Sequence, residues 1–251
     1  MDDPAQFYTG LVASLYGPLR GSIPDPDVYA AFIARYGQPA LELGCGTGDP
    51  LIELRRRGLE IDGLDSSADM LAICRQRAAD AGVTVNVCEA LIEDMELGAV
   101  YKSIFLAGPT FNLLPDDDTA VRSLRSIKDH LAPDGRALIP LFIPSAVPDA
   151  ALNQWRETVD DDSRPIRFAV TAVTRDEAAR IQTSTLRYER GDGDDVEIVE
   201  RDWLIHWYSI AQFTRIVEDV GLTVQRVTDA TGAPAPAPDD ATEFAFTLRA
   251  E

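Results

Sequence analysis

The sequence predicts an α/β fold: a mostly parallel sheet of seven strands with helices on both faces, and an antiparallel β insertion after the fifth strand. Three observations predict it. Between residues 38 and 143, short apolar runs of strand length alternate with stretches of helical periodicity. A glycine-rich turn, Leu41-Glu42-Leu43-Gly44-Cys45-Gly46-Thr47-Gly48, joins the first apolar run to the helical stretch behind it. From Pro144 the pattern changes to a period of two, the signature of antiparallel strands.

The turn organises the rest. Glycines at alternate positions let the backbone bend sharply and let a ligand approach where a Cβ would clash. Asp49 and Pro50 read as the N-cap and first residue of the next helix. That helix start offers free amides and the positive end of a dipole. Further on, Ile61-Asp62-Gly63-Leu64-Asp65 ends a second strand on a carboxylate, placed to accept hydrogen bonds from ribose hydroxyls.

At these residues the chain resembles the class I S-adenosylmethionine (SAM)-dependent methyltransferases of small-molecule type. Glu42 and the Gly44-x-Gly46-x-Gly48 turn match that family's first motif, and Leu64-Asp65-Ser66-Ser67 its second. A nicotinamide-binding fingerprint would carry its third glycine one residue later. The resemblance implies a Rossmann-like core with SAM as methyl donor and S-adenosylhomocysteine (SAH) as product. Glu42, Gly44, Cys45, Gly46, Gly48, Asp65 and Ser66 are then cofactor-binding candidates.

In chain order, Phe7, Leu11, Leu15 and Leu19 share one helical face, and Val28 to Tyr36 form a second helix stopped by Gly37. In the resembling family an N-terminal helix lies over the cofactor. Tyr16 and Arg20 become cofactor candidates and Tyr8 a catalytic candidate at the methyl end, with plain packing as the alternative. Ser66 to Met70 cap a helix that runs to Asp80 and stops at Gly82. Met70 is expected against the adenosine or in the core. Val83 to Val87 read as the third strand. Cys88 to Met95 match the third motif loosely, with Leu91 and Ile92 to sandwich the adenine where the family often has an acidic residue, for which Glu89 is another alignment.

Tyr101 to Ala107 form the fourth strand, whose end at Leu106 and Ala107 is expected beside the sulfonium. Gly108-Pro109-Thr110-Phe111 stands where nucleic-acid base methyltransferases carry an Asp/Asn-Pro-Pro-aromatic motif, which argues against a DNA or RNA base as acceptor. Asn112 is a substrate ligand or a helix cap. Asp116 to Asp118 cap a helix with Val121, Leu124, Ile127 and Leu131 on one face, His130 at its end is structural, and Arg136 to Ile143 form the fifth strand.

Ile166 to Thr174, Ala179 to Arg190 and Val196 to Trp207 read as three antiparallel strands, an insertion that in the family often covers the substrate. Ser209 caps a helix to Val220, Leu222 to Val227 return as a core strand, residues 231–240 form a stiff proline-rich loop, and Thr242 to Leu248 close the sheet antiparallel. The chain divides into an N-terminal helical lid (1–37), a SAM-binding core (38–143), a substrate cover (144–208) and a return to the core (209–251).

The formal net charge of −19 disfavours phosphate backbones and anionic membrane surfaces as partners and favours a cationic small molecule. Cys45, Cys74 and Cys88 are odd in number and lack zinc-ligand spacing, so reduced thiols in a cytoplasmic, soluble monomer or homodimer are expected. No acidic or histidine cluster has metal-site spacing. The chemistry is in-line displacement at an activated methyl, for which the protein mainly positions the acceptor. An amine arrives neutral; a hydroxyl or carboxylate acceptor would use His206 as base, or the fold binds SAM and SAH without catalysis. Phe111, Trp203, Trp207 and Tyr208 are candidates to line the acceptor pocket or to fill the core.

Overall fold

The computed structural model describes residues 7–21, 23–160, 162–192, 195–229 and 242–250. Its helices are α1 (Leu11–Leu19), α2 (Pro26–Tyr36), α3 (Leu51–Arg56), α4 (Ala68–Asp80), α5 (Asp117–His130) and α6 (Ile210–Asp219). Its strands are β1 (Ala40–Leu43), β2 (Ile61–Asp65), β3 (Asn86–Glu89), β4 (Tyr101–Leu106), β5 (Leu131–Phe142), β6 (Arg156–Val159), β7 (Pro165–Asp176), β8 (Ile181–Asp192), β9 (Asp195–His206), β10 (Leu222–Asp229) and β11 (Glu243–Ala250).

Seven of these strands make one sheet in the order β10-β11-β5-β4-β1-β2-β3. The five from β5 to β3 run parallel, and β11 joins β5 and β10 antiparallel. All four residues of β1 are buried because both faces of a central parallel strand are covered. One face packs on α5 and α6 through Leu124, Ile127, Phe213 and Val217, the other on α2, α3 and α4 through Phe32, Ile33, Leu54 and Leu71. Strand order reverses between β1 and β4, and the crevice beyond their carboxyl ends is where such sheets bind ligands.

A second sheet, β6-β7-β8-β9, is antiparallel throughout. Its alternate residues Ile166, Leu186 and Tyr188 join Phe7, Leu11, Val12 and Leu15 in a third hydrophobic cluster. The N-terminal helix α1 is therefore packed against the inserted sheet, whereas α2 belongs to a face of the core.

Several local expectations are corrected. The insertion has four strands, because the exposed segment Arg156–Val159 pairs with β7. The third strand lies later than Val83 to Val87, set by its register against β2. Helix α3 starts at Leu51 with no side-chain cap, since two arginines draw the Asp49 carboxylate away. The proline-rich loop 231–240 lies outside the described residues. Among the described residues, no helix is long and apolar enough to cross a membrane.

Candidate functional site

The glycine turn leaves β1 with Gly44 at φ 68° and Gly48 at φ 93°, conformations that side chains rarely adopt. Space confirms the requirement. A Cβ on Gly44 would lie 2.6 Å from Thr110 Cγ2, and one on Gly48 would lie 2.8 Å from Cys74 Sγ. The turn is tied to the end of β2: Cys45 N donates to Leu64 O at 2.9 Å and Gly46 N to Asp65 Oδ2 at 2.8 Å. Ser67 N donates to Asp65 Oδ1 at 2.9 Å. Burial pushes the Asp65 carboxyl up, opposed by these backbone amides. The Ser66 amide also bonds this carboxylate, which keeps an acceptor site for a further donor.

Two adjoining cavities lie over this turn and share Tyr8, Tyr16, Gly44, Gly46, Thr110 and Leu113 as walls. One, about 200 Å³, runs past Asp65 and Ser66 between Met70, Leu91 and Ile92, a slot with a carboxylate at one side and apolar walls. The other, about 330 Å³, is lined by Arg20, Thr47 and Asp49 and by Phe142, Trp203 and Ile205. Asp49 accepts from Arg20 and, at 2.5 Å, from Arg77. Burial pushes its carboxyl up, but those two guanidiniums outweigh burial and hold it below the usual range.

Glu42 lies in β1 with no exposed surface, and neither carboxyl oxygen has a hydrogen-bond partner. Burial pushes its pKa well above the ordinary carboxylate value. Orphaned buried acceptors of this kind mark a place that expects a donor. A nucleoside with an attached amino acid fits this donor set: Asp65 for a ribose, Met70, Leu91 and Ile92 for a base, and Arg20 for a carboxylate.

Of the expected site residues, Tyr8, Tyr16, Arg20, Gly44, Cys45, Gly46, Asp65, Ser66, Met70, Leu91, Ile92 and Ala107 stand on the cavity walls. Glu42, Gly48 and Leu106 lie behind them. The acceptor-side expectations fare differently. Asn112 is fully buried; its amide donates to Phe142 O and His206 O and accepts from Phe142 N, so its capacity is spent on holding β5 to β9. Phe111 and Tyr208 pack around Phe213 with ring centroids 5.3 and 5.5 Å away. Trp207 is covered by the Arg175 guanidinium, 4.2 Å from its ring centre. These residues are core, not wall.

His206 is also off the walls. It is 1% exposed, with Arg180 Nη2 at 3.2 Å from Nε2 and Tyr208 Oη at 2.8 Å from Nδ1. A guanidinium only donates, so Nε2 is the acceptor and Nδ1–H donates to the phenol. The lone pair a base would use faces Arg180. Burial lowers the imidazole pKa, with Asp117 pulling it up and Arg180 pushing it down. His130 is likewise occupied, between Ser126 O and Leu97 N.

The residues missing from the sequence reading are Glu93, Thr110, Leu113, Phe142 and Ile205. Alternation along β9 held the clue: Trp203 and Ile205 turn one way and His206 the other. Glu93, in a short 3-10 turn after β3, puts a carboxylate on the wall beyond both positions weighed for it.

Residues 40–135, from β1 into β5, match the protein family described as "Methyltransferase domain". Over those residues the chain carries a methyltransferase domain, and it is similar to the class I SAM-dependent methyltransferases. Its cofactor is SAM.

Among its relatives, the cypemycin N-terminal methyltransferase of Streptomyces sp is 27% identical over 43% of this chain and 44% of its own length. A dTDP-3-amino-3,6-dideoxy-alpha-D-glucopyranose N,N-dimethyltransferase of Streptomyces fradiae is 25% identical over 88% of both chains. The solved CcbJ methyltransferase of Streptomyces caelestis shares the fold at a TM-score of 0.78 and 22% identity, over 98% of each chain. Coverage thus ranges from under half of a curated relative to nearly all of one. The fold of the methyltransferase extends through the inserted sheet.

Proposed function

We propose that this methyltransferase transfers the methyl of SAM directly to an amine nitrogen of a small molecule. The observation that carries the reading is the make-up of the acceptor end of the larger cavity. Its walls are Pro24, Pro109, Phe142, Trp203 and Ile205, with the phenols of Tyr8 and Tyr16. Burial pushes both phenols upward, away from any role as a base near neutral pH. Asp49 is committed to two arginines, and the imidazole of His206 lies behind the wall, capped by Arg180. A hydroxyl acceptor would need a base in place, whereas an amine that has already lost its proton needs only position.

Bound SAM supplies an electrophilic methyl on sulfur. The protein's residues do the rest. Asp65 holds the ribose end, and Met70, Leu91 and Ile92 exclude water from the base. Ala107 to Thr110 form the wall at the carboxyl end of β4, and Tyr8 and Tyr16 on the α1 side close the cavity over the glycine turn. With SAM bound, the residues of this cavity would aim the amine lone pair at its methyl in line with the leaving sulfur, and the proton lost from the methylated amine would pass to water. A relative aligned over 88% of this chain is named an N,N-dimethyltransferase, which supports the amine, whereas relatives named O-methyltransferases align over 23% to 40% of it.

The test is turnover of SAM with matched acceptors, each amine paired with its hydroxyl twin, read by mass spectrometry. Methylated amines with untouched alcohols are expected. Alcohol methylation that disappears in His206→Gln would replace this reading with the oxygen one.

A further inference from the structure

We infer that the acceptor is a phosphate-free amine, presented on a neutral scaffold that packs on Phe142 and Trp203, and not a nucleotide-linked one. The inference rests on the amine reading above and narrows its substrate class. The relative from Streptomyces fradiae is named for a dTDP-linked amino sugar, so the distinction has content.

A diphosphate in a protein site is held by guanidinium or ammonium groups, by amides at a helix start, or by both. All 23 lysines and arginines of this chain lie among its described residues. Arg20 alone among them stands on the walls of either cavity. It is already bonded to Asp49, which is itself shared with Arg77. Should Arg20 leave Asp49, the carboxylate of the cofactor's amino acid is the anion that fits beside it. No cation then remains on the walls for an acceptor.

Four of the arginines near the inserted sheet are spoken for. Arg180 chelates Asp117, Arg167 and Arg187 both bond Glu189, and Arg175 bonds Glu177 while covering Trp207. The amides nearest the mouth are no better supplied. Pro24 and Pro109 carry no N–H, and the Phe142 N–H is bonded to Asn112 Oδ1. An aromatic and aliphatic mouth in a chain of net charge −19 desolvates a diphosphate without repaying it and repels it at a distance. The same walls suit a hydrocarbon or sugar ring, and the field draws in an ammonium.

The test uses the full chain saturated with SAH and titrates thymidine diphosphate and inorganic pyrophosphate by calorimetry. In parallel, SAM turnover compares 3-amino-3,6-dideoxyglucose with its dTDP-linked twin. The expected result is no anion binding up to about 1 mM. Any turnover should favour the free amine by about tenfold or more in kcat/KM. Micromolar binding of either diphosphate, or preference for the nucleotide-linked twin, would overturn the inference and leave the amine reading intact. Failure of SAH itself to bind would instead bring down the cofactor site, and this inference with it. The anion titration decides the matter even where neither twin is methylated.

Discussion

Protonating His206 at Nε2 would set a second positive charge against Arg180, in a pocket that Tyr208 already closes at Nδ1. Burial and Arg180 lower its pKa below the ordinary 6.5, with Asp117 and Asp116 opposing. In the unfolded chain the imidazole takes its proton at the ordinary value. Below about pH 6.5 the unfolded state therefore holds more protons, and stability falls as pH falls. His206→Gln is expected to flatten the decline in Tm between about pH 7 and 5.5 and to lower Tm at pH 7, because two buried bonds are lost at about 1–3 kcal/mol. The pH profile of turnover should not move; a shifted profile would restore His206 as a base. Asp65 makes the opposite case. Asp65→Ala removes a buried acceptor for the Gly46 and Ser67 amides and, as proposed, for ribose hydroxyls. SAM and SAH affinity should drop more than tenfold by calorimetry, since bonds to a charged group contribute about 1.5–3 kcal/mol each. Unchanged affinity would mean that the ribose lies elsewhere.

Helix α1 is held to the core by a few polar contacts as well as by its apolar face. Ser67 Oγ donates to Tyr8 O at 2.5 Å, Gly10 N donates to Asp69 Oδ2 at 2.7 Å, and Arg20 reaches Asp49. Each joins α1 and its flanking residues to the β1–α3 turn or to the start of α4, the elements proposed to hold the cofactor. Arg20→Ala is expected to weaken SAH binding several-fold and to speed amide exchange in residues 11–19 of the free protein. If exchange rises with no change in SAH affinity, Arg20 is only a strut. At this scale the sequence was legible wherever a local signal agreed with the long-range one. Ile61–Asp65, Ala68–Asp80 and the Ser209 capping box at the start of α6 show the agreement. Where partners decide, it was not. Arg156–Val159 is fully exposed and has no pattern until β7 pairs with it, and Asp49 looks like a cap until Arg20 and Arg77 compete for it. In the candidate site the glycine turn and Asp65 were readable because backbone geometry dictates residue type. The acceptor walls were not, because the face of β9 turned to the cavity depends on the register of a distant sheet.

Across the whole molecule, the net charge and the closed-off histidine bear on the same kinetic quantity. A negative surface raises the local concentration of an ammonium, the form that cannot react, while the neutral amine reacts but feels no steering. If the acceptor is an amine met without a base, as proposed, its proton leaves to water before attack. The logarithm of kcat/KM should then rise with unit slope up to the pKa of the free acceptor amine and level off above it. Two acceptors of different basicity should break at two different pH values. Ionic strength separates the encounter forms, because exposed charges more than about 10 Å apart are largely screened at about 0.1 M salt. Where an ammonium is captured first, kcat/KM below the amine pKa falls as salt rises; where the neutral amine enters directly, it stays level. Steady-state kinetics with two amines, at low and high salt across pH 6 to 10, resolve all of this (values of about this range bracket alkylamine ionisation). A break between about pH 6 and 7 that is common to both acceptors would sink the base-free mechanism, since only a group on the protein would titrate there whatever the substrate.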